Sequence, residues 1–174
     1  MTAPLALVTG GQQGIGLGIA RALAGQGFRL AIASRSAAED ASVREALHAL
    51  GPDPRYYRHD LADLAAIPAL LDRIEAEQGP LDALIQNAGV AAKVRGDMLD
   101  ITPENFDWIM GINLRGAFFL AQAVARRMLA RQSPHYRSIT FVTSVSAQMA
   151  SVERADYCIS KAGAAMAAQS LALR

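Results

Sequence analysis

The stretch that decides the fold is LALVTGGQQGIG, residues 5–16 of a 174-residue chain. Its apolar start is typical of a buried strand, and a helical pattern of Ile15, Ile19 and Leu23 follows the glycines. Glycines permit a sharp turn and a close approach of the backbone to a bound group, while a helix N-terminus offers unpaired N–H donors. The segment therefore predicts an anion-binding turn formed by Gly10, Gln12, Gln13, Gly14, Ile15 and Gly16. The alternative is that the glycines only connect a strand tightly to a helix.

Apolar runs alternate with helical patterns along the whole chain. We predict strands at Leu5–Thr9, Arg29–Ser34, 55–60, 81–87 and 138–143. Short links between strands and helices imply parallel strands with right-handed crossovers. The predicted fold class is α/β, with a doubly wound parallel sheet in a Rossmann-like three-layer α/β/α sandwich. No internal repeat or linker interrupts the pattern, so we expect one domain over residues 1–174.

Residues 102–131 predict one long helix, because Pro103 and Glu104 are both favoured in a first turn. Its apolar side chains do not form a single stripe, and Phe118 and Phe119 point to different sides. We therefore expect two faces of this helix to be covered. It is either buried inside its own subunit or packed against a partner subunit.

Composition excludes several classes of protein. The chain is 52% hydrophobic, and 17 basic against 16 acidic residues give a formal net charge of +1. Without a strong overall charge, neither nucleic acid nor an anionic membrane is the expected partner. No uninterrupted apolar stretch approaches the roughly 18 residues of a membrane span.

The cysteine and the histidines argue against disulfides and metals. Cys158 is the only cysteine, so no intrachain disulfide forms, and we expect a small buried thiol in a cytoplasmic protein. His48, His59 and His135 lack the spacing of metal ligands, which predicts loop or surface positions and no metal site.

A tyrosine and a lysine near the end of the sequence stand one helical turn apart. Tyr157 and Lys161 fall in an alanine-rich segment that should be helical from near Arg154, so they share one face. A free tyrosine titrates near pH 10, but a neighbouring cation favours the phenolate and lowers the pKa. The pair predicts a general acid and base, with an ordinary exposed helix pair as the alternative.

Ser34 and Arg35, at the end of the second strand, bear on the choice of dinucleotide. A cofactor with a free ribose 2′-hydroxyl normally meets an acidic residue there. The guanidinium of Arg35 suits a 2′-phosphate instead, so we expect NADP to be favoured, with NAD also possible. Gln13 weakens this expectation, because the glycine turn then lacks a second basic residue. Asp60 and Leu61 are expected at the adenine edge, although Asp60 could instead cap the next helix.

Five motifs together resemble the classical short-chain dehydrogenase/reductase family over essentially the whole chain. They are the glycine pattern of residues 10–16, Asn87-Ala88-Gly89, Asn113, Ser144 and Tyr157-x3-Lys161. The resemblance implies that Tyr157 donates the proton in reduction, that Ser144 hydrogen-bonds the substrate oxygen, and that Lys161 holds the nicotinamide ribose. It also implies that Asn113 anchors a water in the proton relay and that residues 87–89 pack under the cofactor.

The same resemblance implies an oxidoreductase that moves a hydride between the dinucleotide and a small carbonyl or alcohol substrate. The chain is similar to 3-oxoacyl-[acyl-carrier-protein] reductases, which makes an acyl carrier protein thioester one candidate, while a sugar, a polyol and a cyclic ketone stay open. The alternative is a non-catalytic dinucleotide-binding regulatory protein on the same fold. Members of the family carry their substrate loop after a sixth strand, so we expect a continuation beyond Arg174. We also expect a homo-oligomer, either a tetramer or a dimer.

Overall fold

The structure is a computed structural model and describes residues 3–174. Five parallel strands alternate with helices, which confirms the predicted fold class. The strands are β1 (Leu5–Thr9), β2 (Arg29–Ser34), β3 (Arg55–Arg58), β4 (Ala83–Gln86) and β5 (Ser138–Phe141). The helices are α1 (Gly14–Gly25), α2 (Ala41–Leu50), α3 (Ile67–Gln78), α4 (Pro103–Met110), α5 (Ala117–Leu129) and α6 (Ala155–Ala172). Short 3-10 turns lie at Met98–Asp100, Val145–Ala147 and Val152–Arg154.

The strand order β3-β2-β1-β4-β5 places the start of the chain in the middle of the sheet. The chain first builds outward from β1 through β2 to β3, and then crosses to the other side of β1 for β4 and β5. The loops that follow β1 and β4 therefore leave the sheet in opposite directions. In open sheets of this kind, the crevice at the carboxyl ends of the strands at such a switch point is where ligands bind.

Two apolar layers enclose the sheet, one on each face. In β1 the fully buried Leu5 and Leu7 belong to the layer formed with α3 and α5. Ala6 and Val8, equally buried, belong to the layer formed with α1. Successive strand residues point to opposite faces, so a strand covered on both faces reads as a continuous apolar run.

Three strands are shorter than the sequence predicts, because pairing with the neighbouring strand covers fewer residues than the predicted run. The predicted strand 81–87 contains β4 only from Ala83 to Gln86, since Asp82 accepts a hydrogen bond from Leu5 N at 3.1 Å at the edge of the ladder. β3 ends at Arg58 rather than residue 60, and β5 ends at Phe141 rather than residue 143. The residues just past these ends form the loops of the site.

The long helix predicted over residues 102–131 runs from Pro103 to Leu129 and has a π-helical middle, Gly111–Gly116, between α4 and α5. Thr102 begins it, because its hydroxyl accepts a hydrogen bond from Asn105 N at 3.3 Å. At Gly116 an added Cβ would lie 2.8 Å from the carbonyl carbon of Leu61, so only glycine permits this approach. The sequence pattern did not reveal the π segment, which holds the candidate Asn113.

One face of this helix lies in the core, as Ile109, Leu120 and Val124 are fully buried. Another is less well covered, because Phe119 is 40% exposed. An 18-residue window within Pro103–Leu129 has a mean hydropathy of 1.2, which by length and composition would allow a membrane span. Their packing on the sheet is that of a core helix.

Candidate functional site

A groove follows the carboxyl ends of the strands at the switch point. Its first cleft, of about 300 Å³, is lined by the glycine turn and by the residues that end β2 and β3. Its second cleft, of about 370 Å³, is lined by Ser144, Tyr157 and Lys161. The residues that line both clefts are Ile15, Asn87, Gly89 and Val90. The two clefts thus form one continuous groove.

The glycine turn depends on glycine at specific positions. Gly10 and Gly14 have φ values of +66° and +52°, which disfavour other residues. At Gly16 an added Cβ would lie 2.5 Å from Asn87 Nδ2 and 2.8 Å from Gly10 C, so the backbone packs there without room for a side chain. Gln13 precedes α1 in an extended conformation and makes no side-chain capping bond. The first N–H groups of α1 therefore stay available to an anion.

Two buried polar atoms of the first cleft have no hydrogen-bond partner among residues 3–174: Gln12 Oε1 and His59 Nε2. Burying such atoms unpaired is costly, so their position fits a bound polar ligand. His59 lies in a loop just past β3, one of the two positions predicted for it, but it is not at the surface, because it is only 7% exposed. Burial lowers the pKa of His59 against the opposing charges of Asp63 and Asp60, which favours the neutral imidazole.

Basic and aromatic side chains gather where β2 and β3 end. The Arg35 guanidinium lies over the ring of Trp108, 5.6 Å from its centre, and Lys93 Nζ lies 4.1 Å from the same centre. Arg58 Nε donates to Arg35 O at 3.3 Å. Arg35 was expected at this place from the sequence, but its contact with the Trp108 indole was not. The neighbouring Arg58 was also missed, because only the pairing of β3 with β2 places it beside Ser34.

The residues expected at the adenine edge occupy the first cleft. Asp60 is exposed, and its Oδ1 accepts a hydrogen bond from Ala62 N at 2.9 Å. The carboxylate thus stabilises a turn and does not cap the next helix, because α3 begins at Ile67 with Ala66 at its N-cap. Leu61 lines the same cleft but is only 5% exposed, and its side chain belongs to the core.

Asn87 and Ala88 connect β4 to the glycine turn. The Asn87 side chain donates through Nδ2 to Thr9 O at 2.9 Å and to Gly10 O at 3.3 Å. Thr9 Oγ1 in turn accepts from the N–H groups of Asn87 and Ala88, both at 3.0 Å. Thr9, which sequence analysis did not single out, therefore fixes the position of both segments beneath the groove.

Asn113 lies behind the second cleft and is 2% exposed. Its Oδ1 accepts from Val90 N at 2.7 Å, while Nδ2 donates to Val90 O at 2.9 Å and to Ser160 Oγ at 3.2 Å. An added Cβ at Gly89 would lie 3.1 Å from Asn113 Oδ1. The asparagine thus holds the loop after β4 against α6.

The second cleft brings the remaining candidates together. Lys161 Nζ donates to Val142 O at 3.1 Å and lies 5.8 Å from the centre of the Tyr157 ring. Burial lowers the pKa of Lys161. Ser144 Oγ accepts from Ser146 N at 3.1 Å, which leaves its own proton free to donate into the cleft.

Known proteins are similar to this chain over almost its whole length. The profile described as short chain dehydrogenase matches residues 4–174. The chain belongs to the short-chain dehydrogenase family. The resemblance noted in the sequence is thereby confirmed, including the similarity to 3-oxoacyl-[acyl-carrier-protein] reductases. Members of this family are oxidoreductases that act on alcohol and carbonyl groups.

Solved structures show the same fold. A 3-oxoacyl-[acyl-carrier protein] reductase from Brucella melitensis is 48% identical with a TM-score of 0.93, covering 100% of this chain and 70% of that one. A second structure of such a reductase from Brucella melitensis, in complex with NAD, is also 48% identical with a TM-score of 0.93 and covers 100% of this chain and 68% of that one.

Galactitol 2-dehydrogenase of Agrobacterium fabrum is 34% identical over 171 residues. The match covers 97% of the present chain but only 63% of the galactitol dehydrogenase. The chain therefore spans under two thirds of that protein's length.

Several residues of the groove were missed by sequence analysis. His59 and Arg58 lie at the first cleft or beside it, and Arg95 and Arg154 line the second. Only Arg154 could have been singled out from the sequence, because it stands three residues before Tyr157.

The thiol of Cys158 is half-exposed rather than buried, and Sγ donates to Met149 O at 3.5 Å. Within residues 3–174, no three His, Cys, Asp or Glu side chains are grouped as metal ligands.

Proposed function

We propose that the protein transfers a hydride between a nicotinamide dinucleotide and a carbonyl or alcohol substrate, and that it favours NADP over NAD. The observation that carries this proposal is the continuous groove, with the glycine turn at one end and Ser144, Tyr157 and Lys161 at the other. When bound, the dinucleotide supplies or accepts the hydride.

The described residues fit such a cofactor. The glycine turn and the uncapped first turn of α1 suit a pyrophosphate, and the unpaired Gln12 Oε1 and His59 Nε2 suit a polar ligand beside them. Asp60 and Leu61 would contact the adenine, and residues 87–89 would form the floor under the dinucleotide. Lys161 would hold the nicotinamide ribose.

The proposed proton transfer uses three side chains of the second cleft. Tyr157 gives its hydroxyl proton to the substrate oxygen in reduction and takes it back in oxidation. Lys161, whose Nζ lies 5.8 Å from the centre of the Tyr157 ring, would place its amino group beside this proton donor. Ser144 donates its free hydroxyl proton to the same substrate oxygen, where negative charge develops.

The proposed role of Asn113 in holding a water is limited by its own hydrogen bonds. Both N–H groups of its amide donate to protein atoms, Val90 O and Ser160 Oγ. A relay water would therefore bind the second lone pair of Oδ1 or the backbone of the π segment Gly111–Gly116. Such segments are frequent at functional sites.

Electrostatics support the preference for NADP. Arg35 and Arg58 lie together where β2 and β3 end, and Ser34 offers no carboxylate to repel a 2′-phosphate. A hydrogen bond from Arg35 to the charged 2′-phosphate contributes about 1.5–3 kcal/mol. To make it, Arg35 would give up its contact with the Trp108 ring, at a cost of about 0.5–1 kcal/mol. We expect NADPH to bind roughly tenfold more tightly than NADH.

Titrations of NADPH and NADH test this preference. Trp108 is the only tryptophan, so its fluorescence reports binding close to Arg35. Arg35→Ala should remove the preference, while Arg44→Ala, on the exposed surface of α2, should keep it. Equal affinities in the unaltered protein, or an unchanged preference in Arg35→Ala, would contradict the proposal.

Ser34→Asp should shift the preference toward NADH, because a carboxylate repels the 2′-phosphate. Ser34 is 7% exposed and its hydroxyl lies 2.6 Å from that of Tyr56. We therefore expect this variant also to lose stability, which unfolding measurements will separate from the change in binding.

The relatives support more than one class of substrate. Reduction of a 3-oxoacyl thioester on acyl carrier protein is one candidate, supported by the Brucella structures at 48% identity. Galactitol 2-dehydrogenase supports a polyol instead. A screen of carbonyl compounds, followed by the loss of reduced cofactor, tests the activity. Dinucleotide binding without turnover of any compound would favour the regulatory alternative.

We further propose a homo-oligomer, a dimer or tetramer, that uses α4, α5 and α6. Exposed apolar side chains on these helices support it: Phe119 is 40%, Ile159 48% and Met166 60% exposed. Light scattering at micromolar concentration tests this proposal, and a monomer would contradict it.

We also propose a cytoplasmic location, which the single cysteine supports and which cell fractionation tests.

A further inference from the structure

The second cleft carries an excess of positive charge. Among the described residues that line it are three cations, Arg95, Arg154 and Lys161, and no Asp or Glu. Lys161 has a role in the proposed proton transfer, but the two arginines do not. Arg95 is exposed on the loop after β4, and Arg154 is half-buried directly before α6, three residues ahead of Tyr157.

No side chain within residues 3–174 neutralises the two guanidinium groups through a hydrogen bond or an ion pair. The nearest acidic residues in sequence are otherwise engaged or point elsewhere. Asp97 accepts from Leu99 N at 2.9 Å, and Asp156 accepts from Asn105 Nδ2 at 2.7 Å. Glu153 is exposed and does not line the cleft.

We propose that the substrate carries an anionic group near its reacting carbonyl, either a carboxylate or a phosphate, and that Arg95 and Arg154 bind this group. The inference rests on the proposed hydride transfer, because it assigns the partner of Ser144 and Tyr157. A guanidinium matches both kinds of anion through paired hydrogen bonds. A cleft with walls of one charge also concentrates ligands of the opposite charge.

The arrangement assigns the anion to the substrate rather than to the dinucleotide. Arg95 and Arg154 line the cleft of Ser144 and Tyr157, and neither lines the cleft of the glycine turn. A neutral sugar or polyol would leave both guanidinium groups without an ionic partner. An anionic compound would pair with them while its carbonyl faces Tyr157.

Two pairs of compounds test the proposal, because the members of each pair share a ketone and differ in charge. Acetoacetate is compared with methyl acetoacetate, and dihydroxyacetone phosphate with dihydroxyacetone. With the natural full-length protein and NADPH, we expect kcat/KM for at least one anion to exceed that of its neutral partner at least tenfold. The pair with the larger ratio identifies the anion as carboxylate or phosphate.

Variants show whether the arginines cause the selectivity. Arg95→Met and Arg154→Met should each lower the ratio of charged to neutral kcat/KM about tenfold, the loss of one charged hydrogen bond. Arg154→Lys should restore part of the ratio, because it keeps the charge without the paired donors. Arg44→Met is the matched control on α2 and should leave the ratio unchanged.

A binding measurement separates this inference from the proposed activity. Calorimetric titration of the Tyr157→Phe protein with the preferred anion, in the presence of NADPH, reports affinity without turnover. We expect weaker binding of the anion when Arg95→Met or Arg154→Met is added.

Two results would overturn the inference while leaving hydride transfer intact. One is an equal kcat/KM for the charged and neutral members of both pairs, and the other is that the arginine variants weaken the binding of NADPH instead of the anion. Failure of every compound to turn over would count against the proposed function, and the anion titration alone would then decide the arginine site.

Discussion

Replacing Gly16 by alanine tests whether close backbone packing shapes the glycine turn. The added Cβ would lie 2.5 Å from Asn87 Nδ2 and 2.8 Å from Gly10 C, closer than Cβ contacts allow. Because one of these is a backbone atom, relief requires the turn itself to move. Overpacking of this kind costs about 1–3 kcal/mol. Alanine in a helix recovers up to about 1 kcal/mol relative to glycine, so against a mid-range cost of about 2 kcal/mol a net loss of about 1–2 kcal/mol remains.

Gly18→Ala is the matched control, since Gly18 lies in the same helix and an added Cβ meets no atom within 4 Å. It should gain up to about 1 kcal/mol. With about 2–4 °C per kcal/mol for a protein of this size, Gly16→Ala should lower Tm by roughly 2–8 °C and Gly18→Ala should raise it by up to roughly 4 °C. Thermal unfolding followed by circular dichroism measures both. A Gly16→Ala protein as stable as Gly18→Ala would refute the reasoning.

Three further variants probe the site and the core. Tyr157→Phe should abolish turnover with nearly unchanged dinucleotide affinity, whereas the same change at Tyr136, which is 90% exposed, should affect neither; steady-state rates and titrations decide. Burial and a hydrogen bond to a glutamate raise the pKa of Tyr57 to about 12, so its stabilising effect is full below pH 10 and is lost as the pH rises toward 12. Tyr57→Phe should therefore flatten the decline of unfolding free energy over that range in urea titrations, and an unchanged slope would count against this. Asn113→Ala should cost about 1–3 kcal/mol by leaving the partly buried backbone of Val90 without its amide partner, and a loss under about 0.5 kcal/mol would show that water replaces the amide.

Local patterns in the sequence were enough to predict the fold. The apolar runs of β1 and β2 matched the structure residue by residue, because strands buried on both faces need apolar side chains throughout. The glycine turn, too, could be predicted, since positive φ at Gly10 and Gly14 requires glycine. Tyr157 and Lys161 share one helix, so their relation depends only on spacing.

Contacts between segments distant in the sequence could not be predicted in this way. The π segment around Asn113 arises where Gly116 packs against the backbone of Leu61, some fifty residues earlier in the chain. The loop position of His59 was predicted but its burial was not, because nothing in the neighbouring sequence shows that the loop is covered by distant segments. The sequence by itself determined which residues form the turn, the strands β1 and β2 and the Tyr157 helix. Only the tertiary structure decided that Arg95 and Arg154 meet at one cleft, because their positions depend on where two separate loops return to the carboxyl edge of the sheet.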